Sequence, residues 1–409
     1  MSSVIDRFLR YVKVDTQSDP KSTTFPSVIS KEIPFADSLT EELKAIGITD
    51  AARDEYGYVF GTIPSTIENY NGPVIGLIAH MDTAQEASGA NVNPQFVTNY
   101  DGGDIMLNES LGMVMRPADF ESLREQVGKT LITTDGTTLL GGDDKAGLAE
   151  IMAMAEYLMQ HPEIKHGPVR VGFTPDEEIG SGVDYFDVKR FGADYAYTMD
   201  GGALGELEYE NFNAACAVVK VKGLAIHPGS SKNKMKSAIE IAIEFQNLLP
   251  AAEKPMFTER YEGFTHLLSL TGTVAEAEAE YIIRDHDMTL FNKKKAFLQT
   301  AASLLNTKYG EGTVSVEVAD SYYNMKEQIE PHMFLIDDVV KIYEEMDIPV
   351  RIQPIRGGTD GARLSFMGLP CPNLGTGDYN CHGPFEYVVA NDMEKAVEML
   401  VKLVQRFAE

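Results

Sequence analysis

Residues 74–79, Val-Ile-Gly-Leu-Ile-Ala, form an uninterrupted apolar run of strand length, lying between Asn71-Gly72-Pro73 and His80-Met81-Asp82. A run with no polar face can be buried only in a strand covered on both sides, as in a parallel sheet held between helices. Val169–Phe173 and Tyr195–Met199 repeat the pattern and lead into acids, Asp176-Glu177-Glu178 and Asp200. Segments with apolar residues at helical spacing alternate with these runs: 4–12, 34–46 closed by Gly47, and 147–159. This alternation predicts an α/β fold, with a mixed, mostly parallel sheet sandwiched by helices.

Near Asn211 the alternation changes. Strands are expected at 214–222, 267–273 and 279–284 and helices at 237–249 and 290–305, completed by a strand at 313–318. That order, β-α-β-β-α-β, predicts a compact α+β layer inserted into the larger domain. The alternating Ala-Glu segment 275–280 reads as the solvated face of a strand. Helix-spaced residues return from about 330 to 346, and a helix over 391–407 closes the chain. The expected division is 1–211 with 326–409 as one domain and 212–325 as the other, and 409 residues are enough for each to bury its own core.

The charge balance narrows the partners. Lys and Arg number 35 against 62 Asp and Glu, a net charge of −27, and a field of that sign repels phosphate backbones and anionic membranes. Nucleic acid and membranes are therefore not expected as partners; the basic run Lys293–Lys295 reads as one solvated helix face. The N-terminus has no uninterrupted apolar stretch like that of a signal peptide, and no apolar run reaches the ~20 residues of a membrane span. Three cysteines, Cys216, Cys371 and Cys381, cannot form a complete disulfide framework and fit a reducing compartment, so a cytoplasmic location is expected.

Ligands of open α/β sheets bind at the carboxyl ends of the strands. The sequence puts acids and imidazoles there: His80 and Asp82 after the first run, Asp143 at a helix start, Glu177 and Glu178 after the next run, Asp200 after the third, and His382 in the Gly-rich stretch GTGDYNCHGP. Taken singly, each has a structural explanation as a cap, a solvated acid or a satisfied histidine. Together they match the needs of two divalent ions ~3.5 to 4 Å apart, which take a bridging carboxylate and His or carboxylate ligands on each ion. Ligands without thiolate point to zinc, with cobalt or manganese as alternatives. Adjacent Glu177 and Glu178 suit a division between ligand and free general base, and Asp82 is placed to accept the second imidazole N–H of His80.

Five motifs in order, HMD from His80, GGDDKAG from Gly141, PDEEIGSG from Pro175, MDGG from Met199 and CHGPFEY from Cys381, make the chain similar to the M20 metallopeptidase family of clan MH. Within that family it most resembles the tripeptide aminopeptidases, and the likeness runs from VIDRFLRYVKVDTQSD to the closing helix. The resemblance implies His80 and Asp200 on one metal, Glu178 and His382 on the other, and Asp143 as the bridge. It makes Asp82 the orienting acid, Glu177 the general base and residues 212–325 a lid over a short peptide substrate. The one departure within these motifs is Ala146, where the family has glycine after the lysine. His227 in KGLAIHPGS resembles the family's oxyanion-holding histidine, while Arg284 and Arg356 are similarly placed to hold a substrate carboxylate. The same resemblance admits a carboxypeptidase or N-acyl-amino-acid deacylase with a different pocket; a catalytically silent peptide-binding module is the alternative from another class, which loss of a metal ligand or of Glu177 would have supported, and a second copy of the chain is a further candidate partner.

Overall fold

A computed structural model describes residues 3–408. The chain divides into two compact units, Met1–Tyr209 with Glu327–Ile352 and Thr359–Glu409, and Glu210–Lys326 with Gln353–Gly358. In chain order the strands of the two larger sheets are β1 (Ala52–Arg53), β2 (Val59–Ile63), β3 (Ile75–His80), β4 (Val169–Thr174), β5 (Tyr195–Met199), β6 (Glu206–Glu208), β7 (Asn213–Lys222), β8 (Phe264–Gly272), β9 (Glu276–Asp285), β10 (Val314–Tyr322), β11 (Arg351–Ile352) and β12 (Asn373–Leu374). The longer helices are α1 (Ser3–Tyr11), α2 (Ile29–Ala45), α3 (Gly142–Gln160), α4 (Ala238–Leu248), α5 (Met288–Tyr309), α6 (Phe334–Glu345), α7 (Asp360–Phe366) and α8 (Ala390–Arg406). None among the described residues is long and apolar enough to cross a membrane.

The first unit is built on a mixed sheet in the order β1-β2-β4-β3-β5-β12-β6-β11. Its centre is parallel: β3 runs beside β4 on one side and β5 on the other. Every residue of β3 is buried, as an apolar run covered by helices on both faces should be. Register then aligns the strand ends. His80 lies opposite Thr174, and Ile78 lies opposite Thr198, so His80 and Asp200 each follow two residues beyond that second pair. Helix α3 packs against this centre and buries Leu148, Ile151, Met152, Ala155 and Leu158. A Cβ on Gly147 would collide with the Met199 carbonyl and the Asp144 carboxylate, so glycine is what lets α3 approach β5 here. A small antiparallel sheet joins Asp378–Tyr379, Tyr387–Val389, Leu131–Thr133 and Gln95–Val97, and the turn between its first two strands carries His382.

The second unit is a four-stranded antiparallel sheet, β8-β9-β7-β10, with α4 and α5 on one face. Ala217, Val219, Val221, Ala277, Ala279, Tyr281 and Ile283 pack there against Ile241, Phe245, Phe291 and Leu298. Glu276, Glu278 and Glu280 alternate with buried Ala277 and Ala279 and stay exposed, as the period-two pattern predicts. The lysine run departs from its expectation. Lys294 is paired with Asp285 at 2.9 Å and Glu253 at 3.0 Å, and Lys295 with Asp320 at 2.8 Å, so two of the three lysines bind acids of their own unit.

Two helix starts also differ from expectation. Helix α2 begins at Ile29, not Pro34, because the Glu32 carboxylate reaches back to accept the Val28 N–H at 3.1 Å and so satisfies a donor at the helix start. Pro34 therefore sits inside α2, at the loss of the one bond its N–H would have made. The segment expected to be one helix from about 330 to 346 opens instead with a 3₁₀ turn at Glu330–His332 that contains Pro331, just after a short helix at Lys326–Ile329, and is α-helical only in α6.

Candidate active site

The carboxyl ends of β3, β4 and β5, the start of α3 and the His382 turn converge on one cluster of side chains. His80, 2% exposed, points Nε2 at Asp143 Oδ1, 2.8 Å away, with Asp200 Oδ1 at 3.5 Å. His382 points Nε2 at Asp143 Oδ2 at 3.3 Å and Glu178 Oε2 at 3.1 Å. Each oxygen of Asp143 thus faces a different imidazole. The local backbone makes this possible: Asp143 (φ −82°, ψ 103°) and Asp144 (φ −122°, ψ 37°) depart from helical geometry at the start of α3, and His382 adopts a left-handed φ of 69°.

Neighbouring acids hold these segments in place. Glu386 accepts the backbone N–H groups of Leu140 at 2.6 Å, Gly141 at 2.9 Å and Asp143 at 3.2 Å, which pins the loop into α3. Asp144 accepts the N–H of His80 and of Gly147, both at 3.1 Å, and so ties the end of β3 to the first turn of α3. Asn373 on β12 donates to the Asp200 carbonyl at 3.0 Å and to Glu208 at 2.9 Å. Asp82 does more than its expected part. Its two carboxylate oxygens accept the N–H groups of Glu177 at 2.9 Å and Glu178 at 3.2 Å, while the closest group to His80 Nδ1 is the Asp82 backbone carbonyl at 3.1 Å, with Oδ1 at 3.4 Å. The sequence reading missed Glu386, Asp144 and Asn373. The first two lie inside the quoted motifs CHGPFEY and GGDDKAG, whereas no motif signals Asn373.

The electrostatics reflect an excess of buried negative charge. Burial works to lower the His80 imidazole, yet hydrogen bonds to Asp143, Asp200 and Asp82 hold it well above its ordinary value. Hydrogen bonds to Asp143 and Glu178 push His382 up to about 11. Burial disfavours the Asp143 carboxylate, but the two imidazoles outweigh it and keep this group far below the usual range. The remaining acids move the other way. Burial, then the charge of Asp143, raises Glu178 to about 8, and burial with Asp200 nearby raises Glu177 well above its ordinary value. Burial is also the main cause that raises Asp200. Protons held by acids crowded this closely mark a place where cations would relieve the repulsion.

The donor set fits divalent metal. His80, Asp144 and Asp200 form one group of ligand atoms within 4.8 Å of one another, although the Asp144 oxygens already accept the N–H groups of His80 and Gly147, and His80, Asp143 and Glu178 form a second. Buried Glu178 Oε1 has no hydrogen-bond partner, a lone pair left for a further ligand. The nearby thiol of Cys381 donates to Asp378 at 2.8 Å, so the cluster is one of imidazole and carboxylate.

The three expected substrate contacts lie in the second unit. His227 is exposed, and its Nδ1 accepts the Gly229 N–H at 3.2 Å at the start of a short turn. Arg284 donates to the carbonyls of Ile283 at 3.0 Å and Ala215 at 3.3 Å and lies over the Tyr322 ring. Arg356 belongs to Gln353–Gly358, part of the stretch that the sequence assigned to the first domain. Its guanidinium binds the carbonyls of Arg260 and Glu262 and the Thr258 hydroxyl at 2.7 to 2.9 Å. Both arginines are thus engaged by their own unit.

Comparison with known proteins places this architecture. Residues 136–406 match the model of peptidase family M20/M25/M40. The chain is 54% identical over 409 residues to peptidase T of Clostridium acetobutylicum, which covers 100% of both chains. It is also 54% identical over 406 residues to peptidase T of Geobacillus kaustophilus, which covers 99% of this chain and 98% of that one. Among solved structures, aminopeptidase PepT from Bacillus cereus superposes with a TM-score of 0.77 at 22% identity, over 100% of this chain and 98% of the other. A tripeptidase from Staphylococcus aureus gives 0.78 at 22% identity, over 99% and 98%.

Proposed function

The chain belongs to peptidase family M20/M25/M40, and on that premise we propose that it is a metal-dependent aminopeptidase that removes the N-terminal residue of tripeptides. The observation that carries the reading is Asp143, whose two oxygens face the imidazoles of His80 and His382 at 2.8 and 3.3 Å. In this reading Asp143 would be shared between two ions, His80 and Asp200 would help hold one, and Glu178 and His382 the other. Bound there, two divalent cations, zinc in this reading, would polarise the scissile carbonyl and make water acidic enough to attack near neutral pH.

The chain's own groups do the rest. Glu177 stands next to a ligand, raised in proton affinity by burial and Asp200, and so is suited to take a proton from the attacking water and pass it to the leaving amine. Asp82 fixes the backbone beneath Glu177 and Glu178 through their N–H groups. Oxyanion contact by His227 belongs to the same proposal, as do a cytoplasmic setting and short peptides as substrates; Arg284 and Arg356 would have to exchange the carbonyls they bind in their own unit to hold a substrate carboxylate.

A peptide-length series tests the substrate assignment. With free di-, tri- and tetrapeptides of one N-terminal residue, kcat/KM is expected to be highest for the tripeptide. Release of the C-terminal residue first, read by mass spectrometry of the products, would instead identify a carboxypeptidase.

A further inference from the structure

The turn that carries Glu177 is gripped from a part of the fold distant in sequence from the metal-ligand candidates. Asp176, just before it, has a left-handed φ of 56°, a conformation uncommon for a residue with a side chain although Asp tolerates it better than most. Its carboxylate reaches the segment leading into α2, where Oδ2 accepts the Ser27 N–H at 2.6 Å and Oδ1 accepts the Ser27 hydroxyl. Ser27 Oγ also lies 3.5 Å from Glu32 Oε1, the atom that accepts the Val28 N–H. Ser27, Glu32 and Asp176 are all buried. From the other side Asp82 holds the N–H groups of Glu177 and Glu178.

These two grips act on different parts of one short turn. Asp82 fixes the amide groups after Asp176, while Ser27 fixes the Asp176 side chain and, through it, the left-handed backbone from which the Glu177 side chain departs. Without the contacts to Ser27 the turn would keep the Asp82 bonds and the bond from the Ser181 N–H to the Asp176 carbonyl at 3.1 Å, but the Asp176 side chain would no longer fix its left-handed backbone, and a shift there would move the Cα from which the Glu177 side chain departs. A displacement of about 1 Å in a reacting group can cost ~10²-fold in rate. We propose that Ser27 and Asp176, braced by Glu32, are positioning residues that set the Glu177 carboxylate for proton transfer. The inference rests on Glu177 being the general base.

A double-mutant cycle on the metal-loaded, full-length enzyme tests it with a tripeptide substrate. Ser27→Ala is expected to lower kcat about 10- to 100-fold, leave KM within about twofold, and leave bound metal, read by elemental analysis, unchanged. Ser27→Thr, which keeps the hydroxyl, is expected to recover most of the loss. In a Glu177→Gln background the same Ser27→Ala change is expected to have no further effect, since the group it positions is gone. Full kcat in Ser27→Ala, or an equal loss in both backgrounds, overturns the inference while leaving Glu177 as base; normal turnover of Glu177→Gln overturns the base assignment and this inference with it. If Ser27→Ala does not fold, Asp176→Asn replaces it in the cycle under the same criteria, because asparagine also tolerates the left-handed backbone.

Discussion

Glu177→Ala is expected to retain two metal ions per chain and to lose about 10²- to 10⁴-fold in kcat, the usual range for a general acid–base group. The separation of metal content from turnover follows from position. Asp143 lies between the two imidazoles and Glu178 faces His382, whereas the proposal gives the neighbouring Glu177 the task of moving a proton. Its carboxyl is raised well above the ordinary range by burial and by Asp200, so it holds a proton more readily than an exposed glutamate does. Elemental analysis beside steady-state kinetics on one preparation checks both halves. Near-normal turnover would mean that another group moves the proton, and loss of metal would mean that Glu177 is a ligand.

Asp143→Ala should have the broader effect. Both His80 and His382 would lose the carboxylate they face, so metal content is expected to fall below two per chain and turnover by on the order of 10³-fold or more. Asp144→Asn is the informative contrast. The Asp144 oxygens accept the N–H groups of His80 and Gly147, so its replacement is expected to lower the unfolding midpoint while metal content stays at two. If Asp144→Asn strips a metal and Asp143→Ala does not, the bridge has been assigned to the wrong aspartate of the pair.

The large elements of this fold were legible because their signals are periodic. An apolar run at 74–79 can hardly be anything but a strand covered on both faces, and β3 is that strand. The alternation at 275–280 likewise foretold which face of β9 is exposed. What escaped the sequence is the work of side chains that bond across long separations. Glu32 moves the start of α2 back to Ile29 by accepting an N–H, a bond with no periodic trace. Glu386 holds the loop at 140–143 from the far end of the chain, and Lys294 finds Asp285 and Glu253 in place of water.

The same limit applies to the site. The sequence singled out the strand-end His80 and Asp200, the acids Asp143, Glu177 and Glu178, and His382 as residue types that two metals would need, and the structure brings His80, Asp143, Glu178, Asp200 and His382 together. The sequence did not reveal that the Asp82 carboxylate would hold the Glu177 turn, since one His-x-Asp spacing serves either partner. Nor could it show that Arg284 and Arg356 would bind carbonyls of their own unit, because an arginine's partners are set by tertiary placement.

The most direct measurement is the rate of hydrolysis of a free tripeptide and of its N-acetyl form by one preparation, first stripped of metal with chelator and then titrated with zinc, cobalt or manganese. A two-metal aminopeptidase is expected to be inactive when stripped, to gain activity up to two equivalents of metal, and to cleave only the peptide with a free amine. Activity that persists without metal, or that is confined to the acetylated peptide, would contradict it.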